Sequence, residues 1–171
     1  SGVSRALDAV LDPTIALSFD RTGFRRHQRQ FDAGDLDVDM AGRVCAVTGA
    51  NSGIGYAVSE ALAQRGAQVW MLCRSAQRGE AAAQAIIKST GNRDVHVEVV
   101  DVSDLSSIAD FVDRFSVESL DVLVHNAGVL LSEPAVSSDG LELTLATNLV
   151  GPLALSAGLV QRLGRGHRSR M

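Results

Sequence analysis

One stretch constrains this chain more than any other: Val44-Cys45-Ala46-Val47 runs without a break into Thr48-Gly49-Ala50-Asn51-Ser52-Gly53-Ile54-Gly55. A short apolar run of this kind suits a strand buried on both faces, and the residues after the turn carry a helical apolar pattern. A strand that passes through a glycine-rich turn straight into a helix leaves the helix N-terminus open at the strand's end. Backbone N–H groups and the positive end of the helix dipole gather there, and glycines let a phosphate approach them closely. The spacing G-x-x-x-G-x-G is a weak signal in isolation. As the first strand-turn-helix unit of an alternating chain it points to a pyrophosphate-binding loop.

The alternation is regular from Gly42 onward. Ala57, Val58, Ala61 and Leu62 form the expected inner face of the first helix, which Gly66 ends. Val69 to Cys73 reads as the second strand, and Ser75 caps a helix whose Ala83, Ile86 and Ile87 face inward until Gly91 stops it. Val95 to Val100 reads as the third strand, and Ser103 caps a helix with Leu105, Ile108, Val112 and Phe115 on one stripe. Val122 to Val124 is the fourth strand, and a long helix is expected from about Ser138 to about Leu163. This pattern predicts an α/β fold, a Rossmann-type doubly wound parallel sheet in the order 3-2-1-4, truncated after the fourth strand and the helix that follows it.

Three regions are expected. Residues 1–40 form an N-terminal extension, residues 41–163 a dinucleotide-binding domain, and residues 164–171 a basic tail. Within the extension, Val3 to Leu11 suits a short amphipathic helix stopped by Asp12-Pro13. A basic cluster of Arg21, Arg25, Arg26 and Arg29 follows, and then an acidic run of Asp32, Asp35, Asp37 and Asp39. The cluster reads as a solvated edge, with membrane-surface docking as the alternative. A net charge of -4 argues against a nucleic-acid partner. Cys45 and Cys73 lie inside apolar runs and read as buried thiols in a reducing compartment. His27, His96, His125 and His167 have no ligand-like spacing, so no metal site is expected. Leu143 to Gln161 carries no charge, but Asn148, Gly151, Pro152 and Gly158 make a buried helix the better reading than a membrane span. With no basic-then-apolar leader, a cytoplasmic location is expected, with peripheral membrane association as the alternative.

Taken together, TGANSGIG at Thr48 to Gly55, Asp101-Val102, His125-Asn126-Ala127-Gly128 and Asn148 resemble the short-chain dehydrogenase/reductase family over about residues 42–163. The lead-in from Asp35 to Val44 and the segment Arg21-Thr22-Gly23-Phe24 resemble its dehydrogenase/reductase member 12-like subgroup. The resemblance implies that Gly49, Gly53 and Gly55 shape the phosphate loop, with Asn51, Ser52 and Ile54 adding backbone or polar contacts. It implies that Asp101 accepts from an adenine amino group, that the Val102 backbone touches the ring, and that Asn126, Ala127 and Gly128 line the nicotinamide ribose end. His125 stands where the family usually has asparagine. The matching asparagine at Asn148 would hold a water in a proton relay.

Two residues carry a physical argument of their own. Arg74 follows the second strand, where the adenine ribose needs a partner for its 2′ substituent. A guanidinium matches a phosphate there and an acidic residue would repel one, so NADP(H) is expected over NAD(H). Pro152 lies four residues beyond Asn148 and has no N–H, so a kink and a freed Asn148 carbonyl are expected. The family's proton donor is a tyrosine in a YxxxK motif, assisted by a serine. The only tyrosine here, Tyr56, has Glu60 four residues on, and the only lysine is Lys88. The reading is therefore the NADP(H)-binding portion of an oxidoreductase acting on a small-molecule carbonyl or secondary alcohol, without its catalytic serine, tyrosine and lysine. The alternatives are a non-catalytic dinucleotide-binding module or truncated isoform, and a membrane-surface interaction protein.

Overall fold

The computed structural model describes residues 21–32, 34, 37–163 and 165. The expected helix at Val3 to Leu11 and nearly all of the basic tail lie outside the described residues. The chain divides into two compact units, Ser1–Val38 and Asp39–Met171. In the first, helix α1 spans Arg21–Gln28 and Gly23 is its buried residue.

The second unit is built on four parallel strands: β1 (Val44–Thr48), β2 (Gln68–Cys73), β3 (Val95–Val99) and β4 (Val122–Val124). Their order is β3-β2-β1-β4, as the alternation predicted. Helices α2 (Gly53–Gln64), α3 (Ala76–Thr90), α4 (Leu105–Arg114) and α5 (Leu143–Leu163) connect and cover the strands. Side chains alternate across the sheet. Cys45, Val47, Val69 and Met71 face one way, into a core completed by Ala63, Ala83 and Ile86. Ala46, Leu72 and Leu123 face the other, into a core completed by Ile108, Phe111, Phe115, Leu155 and Leu159. Both cysteine thiols are buried as expected, and burial pushes Cys45 up to about 12 and raises Cys73.

The start of the sheet is pinned by one carboxylate. Asp121, 6% exposed, takes the Arg43 guanidinium at 2.7 Å on Oδ1 and the Val44 N–H at 3.0 Å on Oδ2. The Asp121 N–H returns a bond to the Val44 carbonyl at 2.9 Å, which aligns the start of β4 with β1.

Four local expectations are corrected. In α2 the buried face is Gly55, Ser59 and Ala63, while Ala57 is exposed and Val58, Ala61 and Leu62 are half-buried. Small residues at four-residue spacing bring the helix close to the sheet, and Ser59 satisfies its hydroxyl on the Gly55 carbonyl at 2.8 Å. In α4 the cap is Asp104, which accepts from Ser106 and Ser107 N–H, because Ser103 is engaged with Asp101. Phe111 joins the buried stripe and Leu105 leaves it. The last helix starts at Leu143 rather than Ser138, since Gly140 closes a turn on Ser137 at φ 77° and Glu142 caps the Thr144 and Leu145 amides.

The expected irregularity near Pro152 takes the form of a π-helical turn over Ala146–Val150, in which the Gly151 N–H reaches back to the Ala146 carbonyl. Helix α5 is long and apolar enough by composition to cross a membrane, and it is only partly the buried helix expected: Leu155, Leu159 and Leu163 are buried in the second core, while Leu145, Leu149, Leu153 and Val160 are exposed. Gly151 sets how closely α5 lies on the loop after β3, since a methyl group there would overlap the Val102 carbonyl oxygen. Gly151→Ala is expected to destabilise the fold by about 1–3 kcal/mol and to lower the melting temperature by roughly 2–10 °C in a thermal scan. Gly91→Ala, which meets no neighbour, serves as the comparison that reports φ strain alone.

Candidate functional site

The C-terminal ends of β1, β2, β3 and β4 open onto a cleft of about 260 Å³. Of the residues singled out from sequence, Gly49, Asn51, Ser52, Arg74, Asp101, Val102, Asn126, Ala127 and Gly128 line it. Gly53, Ile54, Gly55 and Asn148 do not, and each has another place. Gly53 opens α2 at φ 56°, a conformation that favours glycine, and Ile54 is 77% exposed. Gly55 is buried, and a methyl group there would overlap the Gly49 carbonyl and the Asn126 side-chain amide.

The helix N-termini that follow β1, β2 and β3 are treated differently. Ser75 caps α3 and Asp104 caps α4 with side-chain acceptors. Ser52 begins α2 with no side-chain cap. The first-turn N–H groups of a helix have no intrahelical acceptor, and in α2 no Ser52 side-chain oxygen takes one, whereas Ser75 and Asp104 do so in α3 and α4.

Loops from opposite ends of the sequence are locked together at the cleft. The Thr48 hydroxyl accepts from the N–H groups of Asn126 and Ala127, both at 3.0 Å, and donates to the Val124 carbonyl at 3.4 Å. The Asn126 side-chain amide donates to the carbonyls of Thr48 at 3.0 Å and Gly49 at 3.3 Å. The phosphate-loop candidate and the Asn126–Gly128 turn therefore form one rigid wall. Asp101 is ordered by its own loop, with Oδ1 accepting from the Ser103 N–H at 2.9 Å and hydroxyl at 2.6 Å.

Asn148 binds the turn after β4 rather than facing the cleft. Its Oδ1 accepts from the Val129 N–H at 2.9 Å and its Nδ2 donates to the Val129 carbonyl at 2.8 Å. Sequence reasoning stressed its backbone carbonyl, and the side chain carries the structural contact. Leu72, Arg78, Val100, Val129 and Thr147 line the cleft and were missed. Arg78 had a signal, since it lies four residues after Arg74 in the first turn of α3. The others are apolar or small and carry no chemical mark.

His125 is held beside this wall. Its Nε2 lies 2.8 Å from the Ser156 hydroxyl, which donates to the Pro152 carbonyl at 2.7 Å. That hydroxyl has one proton, so the imidazole carries its own on Nε2. Burial lowers the His125 pKa below its usual 6.5. The folded state favours neutral imidazole, so stability present above pH 6.5 is lost as pH falls below that value. Melting temperature should fall between pH 7.5 and about 5.5, and His125→Asn should flatten that dependence.

This fold and cleft define a class: the chain belongs to the short chain dehydrogenase family, which it matches over residues 43–171. It is 36% identical over 154 residues to cattle dehydrogenase/reductase SDR family member 12, covering 90% of this chain and 49% of that protein. It is 40% identical over 136 residues to human retinol dehydrogenase 11, covering 78% and 43%. Among solved structures, it is similar to L-sorbose reductase from Gluconobacter frateurii, determined with NADPH and L-sorbose. The TM-score is 0.65 at 29% identity, covering 75% of this chain and 51% of that one. The chain thus spans about half the length of the relatives it matches.

Proposed function

We propose that this chain is the cofactor-holding part of an NADP(H)-dependent oxidoreductase acting on a carbonyl or a secondary alcohol. The observation that carries the reading is the uncapped start of α2 on a cleft that also holds Arg74 and Arg78. An anion with two separated phosphate groups suits such a wall: helix amides for one, paired guanidinium groups for the other. The L-sorbose reductase structure with NADPH supports the same reading.

In this reading Gly49, Asn51 and Ser52 hold the pyrophosphate, Gly53, Ile54 and Gly55 shape the turn and the start of α2 behind them, and Arg74 with Arg78 takes the 2′-phosphate. Asp101 and the Val102 backbone receive the adenine. Ser103 uses two of the roughly four acceptor positions of the Asp101 carboxylate, so others stay open to an amino group. Asn126, Ala127 and Gly128, fixed by Thr48, orient the nicotinamide end. Asn148 acts through Val129, holding the turn that borders the reacting end. The bound dinucleotide would supply the hydride.

The proton must come from a group not among these residues, because Asn148 cannot donate one at neutral pH, and Tyr56 and Lys88 sit on α2 and α3.

Calorimetric titration tests the cofactor. Losing a charge-assisted bond costs about 1.5–3 kcal/mol, or roughly 10- to 100-fold in affinity. Arg78→Gln should weaken NADP(H) by that factor and leave NAD(H) unchanged, and Arg74→Asp should reverse the preference. Equal affinity of the unsubstituted chain for both dinucleotides would overturn the reading. NADPH consumption by the 171-residue polypeptide with aldehydes and ketones should stay at the uncatalysed rate.

A further inference from the structure

The first unit carries an exposed surface of its own. On α1, Arg21, Phe24, Arg25 and Gln28 follow i, i+3, i+4, i+7 spacing, which puts them on one helical face, and all four are exposed. Phe24 is 57% exposed and Phe31, beyond the helix end, is 62% exposed. The two rings pack edge to face at 6.3 Å, so they form a single apolar knob. Arg21, Arg25 and Arg29 are exposed around it, and none makes an ion pair among the described residues. No acidic residue occurs from Arg21 to Phe31. The first one after it, Asp32, turns its Oδ1 onto the Gly34 N–H at 2.8 Å.

We infer that this face of α1 docks on anionic lipid membranes, with Phe24 and Phe31 entering the headgroup boundary and Arg21, Arg25 and Arg29 pairing with lipid phosphates and carboxylates. Two features together select this occupant. A local excess of positive charge in a chain of net charge -4 calls for an anionic partner. Two adjacent aromatic rings left in water gain by burial, which a membrane boundary supplies and a soluble polyanion does not. Guanidinium groups on long stems suit the position around the rings, because they reach headgroups while their methylenes stay at the boundary.

Flotation of the full chain with vesicles tests the inference. Vesicles of phosphatidylcholine with about one-third phosphatidylserine should carry the protein, and pure phosphatidylcholine vesicles should not. Each arginine near an anionic surface is worth about fivefold in partitioning, so Arg21→Gln, Arg25→Gln and Arg29→Gln together should reduce it on the order of 100-fold. Phe24→Ser with Phe31→Ser should reduce it about tenfold or more on the same vesicles, with an unchanged thermal melt. Should that pair fail to fold, Phe24→Trp provides the readout, since its emission should shift to the blue on anionic vesicles only. Equal partitioning onto both vesicle types, or none onto either, would overturn the inference. So would binding to heparin that survives removal of both rings and matches the binding to vesicles, because the surface would then be a general polyanion site.

Discussion

The Thr48 hydroxyl joins what the chain keeps furthest apart. It receives two backbone amides from a turn 78 and 79 residues away, and Asn126 answers with its side chain on the Thr48 and Gly49 carbonyls. Buried polar groups must find partners, and here each loop satisfies the other. The consequence is mechanical: the glycine turn after β1 and the Asn126–Gly128 turn after β4 cannot move independently. That reciprocity sets one wall of the cleft, because Gly49, Asn126 and Ala127 also line it.

A division of labour among helix ends follows from the same economy of partners. Helices α3 and α4 satisfy their first-turn amides with Ser75 and Asp104, and α5 does so with Glu142. Helix α2 has no such acceptor. A helix start without a side-chain cap leaves its first amides to other acceptors, and Ser52 at this start lines the cleft. Gly55 and Gly151 serve that geometry, letting α2 close onto the Gly49 carbonyl and α5 onto Val102.

Strand order was legible because near-continuous apolar runs alternating with helical patterns leave few right-handed solutions. The Gly66 and Gly91 stops were also legible, at φ 85° and 74°, since a left-handed terminus is a local demand. Nine of the thirteen residues singled out for the site line the cleft, the motif spacing having carried that information. Helix starts were less legible. Ser103 and Asp104 are both good caps, and the choice fell to Asp104 because Asp101 claims Ser103. In α2 the larger residues suggested the inner face, whereas proximity to the sheet selected the smaller ones.

By itself the sequence determined the α/β class, the strand order, the phosphate-loop candidate and the arginine at the end of β2, because periodicity and glycine conformation act within a few residues. Only the tertiary structure decided that Arg78 joins Arg74 on the cleft, that Asn148 spends its side chain on Val129, and that the bend before Pro152 is a π-helical turn. These depend on contacts between segments many residues apart. Their partners are chosen by packing and by the demand that buried polar groups be satisfied, neither of which leaves a local mark on the chain.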